Sequence, residues 1–175
     1  GEAMAHLQQV DVILHVVRDF EAGSVPHRQG SVDYKRDIEK VAFDILFADI
    51  ALLERRIERL TGSLKGLKSA DRDEAEKNID TLKRLQEDLE NGTAFRDRDL
   101  DPAETKAISD TFTLSSLPLL VALNIGEDDI ADTAELEQEL AKLLDGRSTG
   151  GAAICGSLEE ELVGMPAEEE AEMRA

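Results

Sequence analysis

The sequence predicts an α/β fold in which a parallel sheet carries a helical hairpin inserted into one of its connections. Three observations lead there. Short runs rich in Val, Ile and Leu stand near the start of the chain and again after residue 116, a long stretch of three- and four-residue apolar spacing lies between them, and a short polar turn divides that stretch.

Each element follows in order. The segment AMAHLQQVDVILHVVRDF reads as the end of a helix running into a strand, Val10 to Val17, whose continuous aliphatic content suits a parallel strand covered on both faces. EAGSVPHRQGS, with Gly and Pro and no period, reads as a loop. From Asp33, apolar residues at Ile38, Val41, Ile45, Ala48, Leu52, Ile57, Leu60, Leu64 and Leu67 mark a long amphipathic helix. After KSADRDE a second helix carries Ala75, Ile79, Leu82, Leu85 and Leu89 on one face and stops at Asn91-Gly92. Joined by so short a turn, the two most simply form an antiparallel coiled-coil hairpin. Asp101, Pro102 and Glu104 then open a short capped helix. Leu117 to Leu123 reads as a buried strand with Pro118 at its start, residues 132 to 145 as a helix, and GGAAICGS as a short strand and turn. The tail, with seven glutamates and one arginine in LEEELVGMPAEEEAEMRA, reads as a surface helix fraying toward its end.

Composition narrows the function classes. At 175 residues and 41% apolar content the chain suits one domain, or one with an insertion. Its 39 acidic and 20 basic residues give a net charge of −19, which repels bare nucleic acid and anionic membranes from the molecule as a whole. Contact with RNA is therefore local, and no DNA specificity is evident. Residues 31 to 112 hold 15 of the Lys and Arg and 20 of the acidic residues, a net −5 against −14 elsewhere. Cys155 is the single cysteine, so an internal disulfide is excluded, and no stretch has the pattern of a signal peptide or membrane span. Cytoplasmic residence is the default expectation.

The candidate sites are few. Asn124 stands at the carboxyl end of a predicted strand, where open α/β sheets bind ligands, with Glu127 three residues on; a turn-forming asparagine is the plain alternative. Cys155, Gly156 and Ser157 form a tight turn into a helix with backbone N–H groups able to meet a ligand, or simply a strand-to-helix connection. No histidine near Cys155 in sequence argues for a catalytic thiol. His6, His15 and His27 lack metal-ligand spacing and read as structural or surface residues. Arg55, Arg56, Arg59, Lys65 and Lys68 form a basic group toward the hairpin tip, a candidate RNA or protein contact against an ordinary solvated face. Neither Gly-x-x-x-x-Gly-Lys-Ser/Thr nor Gly-x-Gly-x-x-Gly occurs, so nothing obvious holds phosphates or magnesium.

Four segments, VDVILHVVRDFE (10 to 21), DIEKVAFDILFADIALLERRIERL (37 to 60), PLLVALNIGEDDI (118 to 130) and AICGSLEEEL (153 to 162), stand in an order and spacing that resembles the YchF or Obg-like ATPases, P-loop NTPases with a coiled-coil hairpin in the nucleotide-binding domain. His15-Val16-Val17-Arg18 and Ile45 to Ile50 are its most specific parts. The resemblance implies that residues 1–30 and 113–175 belong to the nucleotide-binding domain and 31–112 to the inserted hairpin. It implies that Asn124-Ile125-Gly126-Glu127 replaces the guanine-reading Asn-Lys-x-Asp, with Asn124 and the Ile125 backbone meeting the purine and Glu127 disfavouring guanine, so that ATP is accepted over GTP. Cys155-Gly156-Ser157 stands where the family has Cys-Ala-Lys or Ser-Ala-Lys, and the lysine is absent. It further implies a ribosome partner, and a P-loop, switch regions and Mg2+ ligands upstream of Gly1 with a TGS domain beyond the last residue, so that no residue here is catalytic. The rival reading is a non-enzymatic coiled-coil interaction module.

Overall fold

The computed structural model describes residues 10–23 and 25–173; the helix end expected before Val10, and His6 with it, lie outside them. Along the chain run β1 (Ile13–Asp19), α1 (Tyr34–Ser63), α2 (Ser69–Glu90), α3 (Pro102–Ile108), β2 (Leu119–Ile125), α4 (Thr133–Leu143), β3 (Thr149–Ile154), α5 (Gly156–Val163) and α6 (Ala167–Met173). Two compact units result. A sheet unit gathers Leu14–Ile38, Leu119–Asp145 and the residues from Thr149 onward; a helical unit gathers Glu39–Pro118, Gly146–Ser148 and the residues up to Ile13.

In the sheet unit the strand order is β1-β2-β3. β2 and β3 are parallel, with Asn124 opposite Ile154. Parallel neighbours need a crossover, and α4 supplies it. The Gly-Gly-Ala-Ala sequence of β3 lets that helix sit close: a Cβ on Gly151 would lie 2.5 Å from Cδ2 of Leu140 and 2.9 Å from the Val121 carbonyl. Leu140 is fully buried there, in a core with Val17, Tyr34, Ile38, Val121 and Leu123. The Tyr34 hydroxyl donates to Glu139 at 2.9 Å and Lys35 reaches the same oxygen at 2.7 Å, fixing the start of α1 against α4.

The strands depart from expectation in one respect. Burial alternates along β2, and Leu14 and Val16 of β1 are 62% and 58% exposed, so the aliphatic runs are not covered on both faces among the described residues. β1 and β2 also begin two or three residues later than predicted and run on to Asp19 and Ile125. A 3-10 turn at Leu114–Ser116 takes up the residues before β2, and Pro118 enters the sheet through its carbonyl, which accepts from the Ile13 N–H at 2.9 Å.

The helical unit packs Leu46 and Leu53 of α1 with Leu82, Leu85 and Leu89 of α2 and with Phe95, Ala107 and Ile108. α1 ends at Ser63, short of Leu67, and a 3-10 turn at Leu64–Gly66 follows. α2 begins at Ser69 rather than after Glu74. Its first turn contains Asp71, whose charge favours the amino end of a helix, so the acid-rich stretch read as a turn is helical. The predicted stop holds: Gly92 takes φ +87, and the N–H groups of Gly92 and Thr93 bond the carbonyls of Leu89 and Asp88 at 3.0 and 2.9 Å. The capping box of α3 is complete, with Glu104 N–H to Asp101 at 2.8 Å and Asp101 N–H to Glu104 at 2.9 Å.

The buried face of α1 is not the one the apolar pattern predicts. Leu46, Asp49 and Leu53 are buried together, and the acid in the middle hides this stripe from a hydrophobicity reading. Asp49 is 2% exposed, and its two carboxylate oxygens accept from the Leu114 and Ser115 N–H groups at 3.0 and 2.7 Å. Arg96 binds the other side of the same segment, donating to the Leu117 carbonyl at 2.9 Å. Burial holds the Arg96 guanidinium below its ordinary pKa, against the opposing pull of Asp97 and Asp49. Asp49→Ala strands two buried N–H groups and is expected to destabilise the protein by about 2–3 kcal/mol in urea denaturation. A loss within experimental error would show that this segment is held by other contacts.

Candidate functional site

The parallel register decides what meets at the carboxyl ends of the strands. Because Asn124 lies opposite Ile154, the next turn of the chain, Cys155-Gly156, comes up beside the asparagine side chain. The Gly156 N–H donates to Asn124 Oδ1 at 2.9 Å. A donor there requires the oxygen to face it, which leaves the Asn124 amide NH2 as the group to offer elsewhere. Position 156 also has little room: a Cβ would stand 3.0 Å from Oδ1 and 3.2 Å from Nδ2 of Asn124. Glycine at this position therefore lets the amide keep its place.

A recess of about 550 Å³ opens here, with Phe20 and Glu21 beyond β1, Asn124, Ile125 and Gly126 at the end of β2, and Ser157 at the start of α5 among its lining. Glu127, Asp128 and Asp129 complete the wall, on a 3-10 turn spanning Glu127–Asp132. The Phe20 ring forms an apolar face, with the Arg18 guanidinium 5.8 Å from its centroid. No lysine or arginine lines the recess, whereas four carboxylates do. An amide NH2, carboxylate acceptors and an aromatic face fit a flat, neutral heterocycle such as a purine base. They do not fit a phosphate chain, which these acids would repel. Among the described residues, no group of three or more His, Cys, Asp or Glu is arranged to hold a metal ion.

The sequence-predicted residues divide accordingly. Asn124, Ile125, Glu127 and Ser157 line the recess, Gly156 sits behind Asn124, and Cys155 is buried in the apolar core with its thiol 3.3 Å from the Ser157 hydroxyl. Phe20 and Glu21 were missed, although their position directly after a strand that neighbours β2 was the available signal. In the helical unit, Arg55, Arg59, Lys65 and Lys68 are exposed. Arg56 is not available in the way they are. Its side chain is 11% exposed and is paired with Asp110 at 2.5 Å and the Thr111 hydroxyl at 2.6 Å. His27 is likewise structural in setting, 2.9 Å from Asp37. Burial holds the pKa of His15 low, against the opposing influence of Asp37.

Comparison with known proteins fits this geometry. No protein-family model matches the chain. The ribosome-binding ATPase YchF of Bacillus subtilis is 31% identical over 169 residues, covering 95% of this chain, and that of Haemophilus ducreyi is 30% identical over 166 residues. The chain is a relative of the YchF and Obg-like ATPases. It spans 45% of the Bacillus YchF and 44% of the Haemophilus one. The YchF GTPase structure from Schizosaccharomyces pombe superposes with a TM-score of 0.79 at 22% identity, covering 97% of this chain and 46% of that one, so the α/β fold is shared with a YchF protein.

The acidic wall has a measurable consequence. Burial, followed by repulsion from Asp129 and Asp33, raises the pKa of Asp19. A carboxylate whose pKa is raised on folding binds its proton more tightly in the folded state, so stability falls as pH rises from the unfolded pKa through the folded one. Asp19→Asn is therefore expected to stabilise the protein at pH 7 and to have little effect below the ordinary aspartate range. Melting curves at the two pH values check this, and equal shifts at both would remove the electrostatic explanation.

Proposed function

We propose that the recess binds the base of a purine nucleotide, ATP in preference to GTP, and that the chain is part of a nucleotide-hydrolysing protein that engages the ribosome. One observation carries the reading: Asn124, in an Asn-x-x-Glu sequence at the mouth of a parallel sheet, is locked by Gly156 with its NH2 left to offer a ligand. The relatives' names, ribosome-binding ATPase and Obg-like ATPase, support the same class. In this reading Asn124 and the Ile125 backbone meet the purine, Phe20 and Ser157 border it, and Cys155 and Gly156 support them from behind. Bound ATP with Mg2+ supplies the γ-phosphate whose hydrolysis switches the protein, and no residue of this chain is assigned to that step.

Residues 1–30 and 113–175 then serve as parts of the nucleotide-binding domain and 31–112 as an antiparallel coiled-coil arm. The shared leucine core of α1 and α2 supports the arm. Arg55, Arg59, Lys65 and Lys68 are its candidate ribosome contacts, while Arg56 serves the internal pair with Asp110. No helix among the described residues is long and apolar enough to cross a membrane, and cytoplasmic residence is part of the proposal.

Calorimetric titration of the protein carrying this chain should give tighter binding of ATP than of GTP, and Asn124→Ala should weaken ATP binding by roughly tenfold or more. Binding unchanged by the substitution would remove Asn124 from the site, and no binding of either nucleotide would favour the interaction module. Arg55→Glu with Arg59→Glu should lower cosedimentation with ribosomes, most visibly at low salt, while leaving the melting temperature in place. Undiminished cosedimentation would return these residues to an ordinary solvated face.

A further inference from the structure

Three consecutive acids, Glu127, Asp128 and Asp129, line the recess, and they are not equivalent. Glu127 and Asp128 are exposed, whereas Asp129 is half-buried. The 3-10 turn explains the difference. The Asp129 N–H bonds the Gly126 carbonyl at 3.2 Å, which folds residue 129 back over the loop floor. Its Oδ2 lies 3.3 Å from where a Cβ on Gly126 would stand, and the Phe20 Cβ lies 3.4 Å from the same point. The carboxylate turned toward the Asn124 end of the loop and the Phe20 wall is thus that of Asp129, two positions beyond the glutamate of the Asn-x-x-Glu pattern.

We propose that Asp129 is a specificity-determining residue that accepts a hydrogen bond from the exocyclic amine at the 6-position of the bound purine; this rests on the purine-binding reading above. An asparagine amide pairs in the plane of a purine with N7 and the 6-substituent, so the group beside Asn124 on the base is the one that differs between 6-amino and 6-oxo purines. A carboxylate next to it accepts from an amine and repels a carbonyl oxygen. Three facts favour this placement. Asp129 carries only acceptors, it stands close enough to Asp19 to raise the pKa of that second carboxylate, and no lysine or arginine lines the recess to neutralise it. An amine donor is the ligand group that such an acidic pocket lacks. Glu127, exposed at the rim, then has the smaller part in choosing the base.

The test uses ATP and inosine triphosphate, which differ at the 6-position without the extra amine of guanine, titrated into the protein carrying this chain by calorimetry. Wild type should prefer ATP. Asp129→Asn replaces one carboxylate oxygen by an NH2 able to meet a 6-oxo group, so the ATP to inosine triphosphate preference should fall by about tenfold or reverse, with the melting temperature kept. Glu127→Gln should leave the ratio within about twofold. A ratio moved by Glu127→Gln and unmoved by Asp129→Asn would overturn the assignment and give the role to Glu127. Asn124→Ala separates the two levels of the argument: if it weakens both nucleotides while Asp129→Asn leaves their ratio unchanged, the site stands and the Asp129 proposal fails. If Asn124→Ala changes neither affinity, the purine-binding reading fails, and this proposal with it.

Discussion

The parallel pairing of β2 with β3 is the constraint from which the site follows. With Asn124 set opposite Ile154, the first residues after β3 must turn beside the asparagine, and the Gly156 N–H finds its acceptor there. A one-residue slip would carry the alternating buried and exposed residues of β2 to the wrong faces, exposing Val121 and Leu123 and burying Leu120. Core packing thus protects the register, and the register places the asparagine. The small residues of β3 belong to the same chain of cause, since Gly151 is what allows Leu140 to close the core over the pair.

The helical unit solves a different problem. Its return segment, from the end of α3 to the start of β2, contains few residues able to bury apolar area, so polar groups on its neighbours hold it instead. Arg56 takes Asp110 and Thr111, Asp49 takes the N–H groups of Leu114 and Ser115, and Arg96 takes the carbonyl of Leu117. Backbone groups near a folded core need partners, and charged side chains make stronger ones than neutral side chains. That use of charge explains why residues that look like surface on a helical wheel are buried here.

Much of the fold was legible because it depends on local chemistry. The Asp101-Glu104 capping box and the Asn91-Gly92 stop lie where the residues predict them, since a cap needs only neighbours in sequence. The start of α2 was misread because acids between two helices look like a turn, and only the formed helix reveals that they suit its amino end. The stripe on α1 was misread for a related reason: Asp49 interrupts the apolar pattern, and its partners lie 65 and 66 residues away.

By itself the sequence determined the α/β class, the positions of the helices, the strand that ends in Asn124 and the glycine-containing turn that follows β3, because periodicity, caps and turn residues act over a few positions. The tertiary structure alone decided that Asn124 and Gly156 bond, that Phe20 joins them, that Arg56 points into an internal pair and that Asp129 rather than Glu127 turns inward. Those outcomes depend on strand register and on side chains competing for partners far apart in the chain, and no local pattern records them.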